Sequence, residues 1–158
     1  MPRELVNPFQ NYDLRVPKSE WEAVRRFTGT FRPEGGAEPD IDRNPFRRYI
    51  DLWWAGMCLG VQERRRTSLP PDGWHPFITG VILSSDPWRI FHLEMLAIAE
   101  KKSGEILKDP SEIILMANEY AATGLMRLTG VMVGKSEPIW AVSQFLKEQM
   151  GSGRASAS

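Results

Sequence analysis

The stretch from Arg47 to Arg66, RRYIDLWWAGMCLGVQERRR, constrains the fold most, because its middle is almost entirely apolar while both ends are rich in arginine. A helix that crosses a bilayer needs about 20 mostly apolar residues. This run is interrupted by Asp51 and ends at Gln62 and Glu63, so it is too short and too polar to span a membrane. Its apolar residues recur at helical spacing and cover most of the helix surface, which is typical of a buried helix. We therefore predict a helix at the centre of a soluble core.

Two glycines, Gly56 and Gly60, are one turn apart in this predicted helix. Each costs about 1 kcal/mol of helix propensity relative to alanine, but the missing Cβ atoms would let a second helix approach closely. We expect that second helix to carry Tyr120 and Gly124. A membrane dimerisation face of the Gly-x-x-x-Gly kind is disfavoured, because the long apolar segment that it requires is missing.

The chain has 158 residues, a length that suits one compact domain. We divide it into an N-terminal arm with a short helix and a linker rich in Gly, Pro and acidic residues (1–43), a helical core (44–150) and a disordered tail (151–158). Asn44 is the expected cap of the central helix, with Pro45 in the first turn. The fold class that follows is mainly α, a single-domain bundle of four or five helices with the arm packed across it.

Helix signals recur along the chain. A short helix is indicated within residues 17–29, and three later helices are predicted to start where Asp86, Asp109 or Ser136 precedes a proline. Residues 77–86 could form a strand or a helix, and the Pro-rich segment before them reads as a loop. The helix after Asp86 is predicted to have one broad apolar face, formed by Ile90, Leu93, Met95, Leu96 and Ile98.

Charge and cysteine content limit the classes of function. Twenty basic and twenty acidic residues cancel, so the whole molecule would not attract a polyanion or an anionic membrane strongly. The N-terminus lacks the apolar core of a secretory signal, and we expect a cytoplasmic protein. Cys58 is the only cysteine. It cannot form an internal disulfide, and its apolar neighbours predict a small buried side chain.

No motif indicates an enzyme, a metal site or a cofactor. The two histidines, His75 and His92, lack a second His or Cys at ligand spacing, and no phosphate-binding glycine loop or nucleophile elbow is present. A further alternative is an enzyme that uses carboxylates of the C-terminal half of the chain, which is predicted to be helical. Such an enzyme would need a bound metal. The carboxylates in question are Glu94, Glu100, Glu112 and Glu119.

Tryptophans and arginines supply the candidate binding residues. Of the six tryptophans, Trp74 and Trp88 are predicted to lie in or near loops and are the expected anchors for a protein partner. Arg64, Arg65 and Arg66 follow the central helix and could contact phosphates of a nucleic acid. The alternative favoured for this triplet is neutralisation of the helix dipole.

Residues 44–133 resemble the small accessory proteins of Dnd systems, which accompany DNA phosphorothioation and related phage-defence gene clusters. The resemblance rests on AIAEKKSGEILKDPSEI before ANEYAATGL, with a Tyr-Ala-x-x-Gly-Leu core at Tyr120, Ala121, Gly124 and Leu125. The resemblance implies a genomic setting more than an activity. Together with the missing active-site chemistry and the many tryptophans, it leads us to expect a non-enzymatic accessory or adaptor subunit that binds a larger protein of the same gene cluster. A DNA-binding module that uses Arg64–Arg66 is the alternative, and homo-oligomerisation stays open.

Overall fold

The structure, a computed structural model, describes residues 5–29, 38 and 40–155. Within them the chain forms five α-helices and a two-stranded antiparallel sheet, which confirms the predicted mainly α fold. The elements in chain order are β1 (Asp13–Pro17), α1 (Trp21–Arg26), α2 (Tyr49–Gln62), β2 (Trp74–Thr79), α3 (Pro87–Lys101), α4 (Pro110–Met132) and α5 (Pro138–Ala155).

The two glycines of α2 make the central contact of the fold. A Cβ atom added to Gly60 would overlap the carbonyl oxygen of Tyr120, and one added to Gly124 would overlap the carbonyl oxygen of Gly56. The two helices therefore pack backbone to backbone along this face. The prediction that α2 is a buried central helix, packed against the helix that carries Tyr120 and Gly124, is confirmed.

The start of α2 differs from the prediction, because the helix begins at Tyr49 rather than at Asn44. The backbone at Phe46 is extended instead and pairs with Thr28 in an isolated bridge. Asn44 does not cap α2, and its side-chain amide donates to the Arg26 carbonyl at the end of α1. The first turn of α2 is closed by Asp51, whose carboxylate accepts from the Arg48 backbone N–H at 3.1 Å.

The sheet was not predicted. β1 pairs with β2 from Asp13 opposite Thr79 to Pro17 opposite Trp74, so the last three residues of the predicted loop belong to a strand. The undecided segment 77–86 divides in two, because its first three residues end β2 and Gly80–Ser85 form a 3-10 helix. Phe9, Leu14 and Val16 are completely buried in the main core, so the arm is part of that core.

Both edges of the sheet are blocked at its middle. On β1, the Arg15 N–H donates to Asn118 Oδ1 at 2.8 Å, and the Arg15 carbonyl accepts from Trp53 Nε1 at 3.2 Å. Since both groups of Arg15 point away from β2, its partner Pro76 points its imide nitrogen outward, where it has no N–H to offer. Neither edge therefore presents a complete ladder for another strand at this position.

The C-terminal boundary also differs from the expected domain division. α5 continues to Ala155, so the first part of the expected tail 151–158 is helical. Residues 156–158 and most of the linker 30–43 lie outside the described residues.

Candidate protein-binding surface

Helix α3 has two apolar sides, and only one of them faces the core. Ile90, Leu93 and Ala97 are fully buried. The opposite side carries four large apolar residues that we call the outer face of α3: Trp88, Phe91, Met95 and Ile98, which are 46%, 48%, 66% and 37% exposed. The prediction of one broad apolar face that unites Met95 and Ile98 with Ile90 and Leu93 is therefore wrong.

The outer face has the spacing of a helix-packing seam. Its residues follow one another at intervals of three, four and three, so they form one stripe about 15 Å long at 1.5 Å per residue. Intervals of three and four are those of the a and d positions at which two helices interlock. A surface helix of a monomer normally has one apolar side, whereas α3 has a second one in a contiguous stripe, a feature that is typical of interaction surfaces.

Trp88 is held in place at the N-terminal end of this stripe. The Arg89 guanidinium lies 4.8 Å from the Trp88 ring centroid and 5.0 Å from that of Trp54. It therefore makes a cation–π contact with each of the two indole rings. The two indole rings also meet edge to face, with centroids 5.4 Å apart. His92 completes the cluster at 5.5 Å from Trp88. The half-exposed indole of Trp88 thus has fixed neighbours on its inner side.

Arg89 itself is buried and belongs to a charge-balanced cluster with Arg48, Asp51 and Asp86. It donates to Asp51 at 2.9 Å and to the Ile50 carbonyl at 3.2 Å. Arg48 bridges Asp51 at 3.0 Å and Asp86 at 3.1 Å. Burial of Asp51 opposes its ionisation, but the hydrogen bonds from Arg48 and Arg89 outweigh this effect and lower its pKa. Asp86, expected as a helix cap, uses its carboxylate in this cluster and makes no side-chain capping bond.

Glu94 flanks the outer face one residue before Met95. Burial raises the pKa of this carboxyl, with no neighbouring charge contributing to the shift. The other glutamates singled out from the sequence have partners: Glu112 pairs with Lys101, and Glu100 and Glu119 pair with Arg66. Glu94 is thus a partly dehydrated carboxylate beside an exposed apolar stripe.

The second predicted anchor, Trp74, is buried with 7% of its surface exposed. It lies in β2 opposite Pro17. Because its side chain is buried, it cannot anchor a partner. Its neighbour His75 stacks on Trp21, with ring centroids 4.3 Å apart. Trp88 is therefore the only one of the two proposed anchors that the structure leaves at the surface.

The arginine triplet does not form one exposed cluster. Helix α2 ends at Gln62, so the three arginines follow the last turn rather than occupy it. Arg66 is engaged with Glu119 at 2.7 Å and with Glu100 at 3.4 Å. Arg64 and Arg65 are exposed, which leaves two of the three side chains to contact a phosphate.

The four glutamates singled out from the sequence, Glu94, Glu100, Glu112 and Glu119, do not assemble into a metal site. Among the described residues, no group of three or more His, Cys, Asp or Glu side chains could hold a metal ion. Glu100 accepts a 2.6 Å hydrogen bond from the Tyr120 hydroxyl, and burial together with this carboxylate raises the pKa of Tyr120 to about 12.

Cys58 is exposed, so the prediction that its side chain is buried is wrong. It shares a narrow outward side of α2 with Gln62.

Comparison of the chain with protein-family models, with curated proteins and with solved structures finds no match. The resemblance of residues 44–133 to Dnd-associated accessory proteins therefore stays a prediction. None of the helices in the described ranges is long and apolar enough to cross a membrane.

Proposed function

We propose that the protein is a non-enzymatic adaptor that binds a larger protein component through the outer face of α3. The observation that carries this proposal is the stripe of Trp88, Phe91, Met95 and Ile98, which is exposed on the side of the helix opposite the core. Large aromatic and sulfur-containing side chains dominate the energetics of many protein interfaces. Trp88 is in addition pre-positioned by Arg89, which lowers the entropic cost of using it as an anchor.

The setting that we propose is a prokaryotic DNA-modification or phage-defence system. Its support is the sequence resemblance, whose core residues are Tyr120, Ala121, Gly124 and Leu125. All four are buried in α4, and Gly124 meets α2, so a packing requirement is sufficient to explain them. They support a shared architecture and carry no reaction, in keeping with an accessory role.

Co-purification with the products of the adjacent genes tests the adaptor function. We expect the tagged protein to retain one larger product, and Met95→Lys to lose it, because a charge in the middle of the stripe would have to be desolvated on binding. Met150→Lys is the matched control, since Met150 is 68% exposed and Met95 66%. Retention of the product by both variants alike would refute the assignment of this surface.

The alternative, a DNA-binding module, is favoured by the exposure of Arg64 and Arg65. Two phosphate contacts give a slope of about −1.8 in log affinity against log salt, so a rise from about 50 to 200 mM would weaken binding about twelvefold. Anisotropy of a labelled DNA duplex measures this slope, and Arg64→Ala/Arg65→Ala should abolish it. An affinity for duplex DNA that this double variant removes, together with an intact Met95→Lys complex, would favour the DNA-binding function over the adaptor.

A further inference from the structure

We propose that the occupant of the outer face of α3 is an amphipathic helix of a different protein, which places a lysine or arginine beside Glu94. This inference rests on the proposed adaptor function and names the chemistry of the partner. It is carried by two features of the surface that are independent of each other. One is the apolar spacing along α3, and the other is the Glu94 carboxylate at its flank, which has no ion-pair partner among the residues that the structure describes.

The spacing selects a helix as the occupant. Trp88 and Met95 are seven residues apart, as are Phe91 and Ile98, so the stripe repeats once per two helical turns. A helix with apolar residues at the same intervals can place its side chains between these four along the whole 15 Å stripe, at about 1.5 Å per residue. An added strand would need a free backbone edge, and α3 presents only side chains here.

Charge then distinguishes a foreign helix from a second copy of this chain. In an antiparallel pair that buries the whole stripe, Trp88 lies over Ile98 of the second copy and Phe91 over Met95. That register brings Glu94 next to Glu94 of the second copy, because flanking positions of the same kind face each other across an antiparallel pair. Two like carboxylates in a partly dehydrated site repel each other, so self-association by this face is disfavoured.

A parallel pair does not satisfy Glu94 either. In that arrangement the residue that flanks Met95 faces the position five residues later on the other helix, which in a second copy is Ala99. The carboxylate would be covered without a cation. A foreign helix with Lys or Arg at that flank is the arrangement that gives Glu94 an ion pair while the stripe is buried.

Two synthetic peptides and the full-length protein test the inference. Both peptides are three-heptad helices with leucine at a and d; one carries lysine at every flanking position and the other carries glutamate. We expect the wild type to bind the lysine peptide at least about fivefold more tightly by fluorescence anisotropy, the ratio that corresponds to one modest ion pair. Glu94→Lys should reverse this preference, Glu94→Gln should remove it, and Met95→Lys should abolish the binding of both peptides.

Three results would overturn the inference: failure of both peptides to bind the wild type, equal affinity of the wild type for both, or a preference that Glu94→Lys leaves unchanged. A wild-type dimer that Met95→Lys dissociates in analytical ultracentrifugation would identify a second copy as the occupant instead. Sedimentation with anionic phosphatidylserine vesicles but with neither peptide would identify a membrane surface. If co-purification depends on Met95 while the charge preference is absent, the adaptor function stands and this inference fails; if Met95→Lys leaves co-purification intact, the adaptor surface itself is wrong.

Discussion

Replacement of Gly60 by alanine should destabilise the protein, although alanine is the better helix former. The added Cβ atom would overlap the Tyr120 carbonyl oxygen and lie 2.8 Å from its carbonyl carbon. A flexible side chain could turn away, but the backbone of α4 cannot, so α2 and α4 must separate. Overpacking costs about 1 to 3 kcal/mol, and a rigid backbone neighbour places this case near 3. The gain in helix propensity is about 1 kcal/mol, which leaves a net loss of about 2 kcal/mol.

A thermal melt measures this loss. For a domain of this size, each kcal/mol shifts the midpoint by about 2 to 4 °C, so Gly60→Ala should melt about 4 to 8 °C below the wild type. Gly130→Ala is the matched control, because Gly130 lies in α4 with no atom within 4 Å of an added Cβ. That variant gains propensity alone and should melt about 2 to 4 °C higher. A Gly60→Ala midpoint at or above that of the wild type would refute the close approach of the two helices.

Two further predictions concern buried polar contacts. The hydroxyl of Tyr120 stays protonated in the fold up to a pKa of about 12, whereas in the unfolded chain it ionises near 10. Between pH 10 and pH 12 the native state therefore binds more protons than the unfolded chain, so the free energy of unfolding should fall by about 2 kcal/mol over this range. Tyr120→Phe should lack this part of the slope in urea melts at each pH, and identical slopes would contradict the assignment. Asn118→Leu leaves the Arg15 N–H without its acceptor and should lower the free energy of unfolding by about 1 to 3 kcal/mol; an unchanged urea midpoint would show that water replaces the amide.

The helix starts that could be predicted from the sequence are those decided by neighbouring residues. At Asp109 the side chain accepts from the Glu112 backbone N–H at 3.1 Å, and Pro110 occupies the first turn where its missing N–H costs nothing. All the groups that fix this start lie within four residues of one another. The pattern of Asp followed by Pro therefore predicts it without knowledge of the rest of the fold.

The features that the sequence did not predict depend on residues far apart in the chain. Asn44 has the chemistry of a helix cap, but Phe46 is held extended by Phe27, whose carbonyl accepts the Phe46 N–H at 3.2 Å. Likewise β1 has only five residues, and its backbone is satisfied by β2 on one side and by Asn118 on the other. No local sequence pattern indicates such partners. The strand and the start of α2 at Tyr49 therefore depend on contacts that form only in the folded structure.

The orientation of α3 explains why Trp88 could be predicted from the sequence but the rest of the outer face could not. Two stripes of the helix have equally good apolar spacing, one through Ile90, Leu93 and Ala97 and the other through the outer face, so periodicity cannot tell which of them is buried. Arg89 decides between them, because its guanidinium is buried against Asp51 and the Ile50 carbonyl on α2. An arginine that must reach these acceptors sets the rotation of α3 about its axis. That rotation carries the outer face away from the core, so the residue that stabilises the fold also exposes the surface on which binding is proposed.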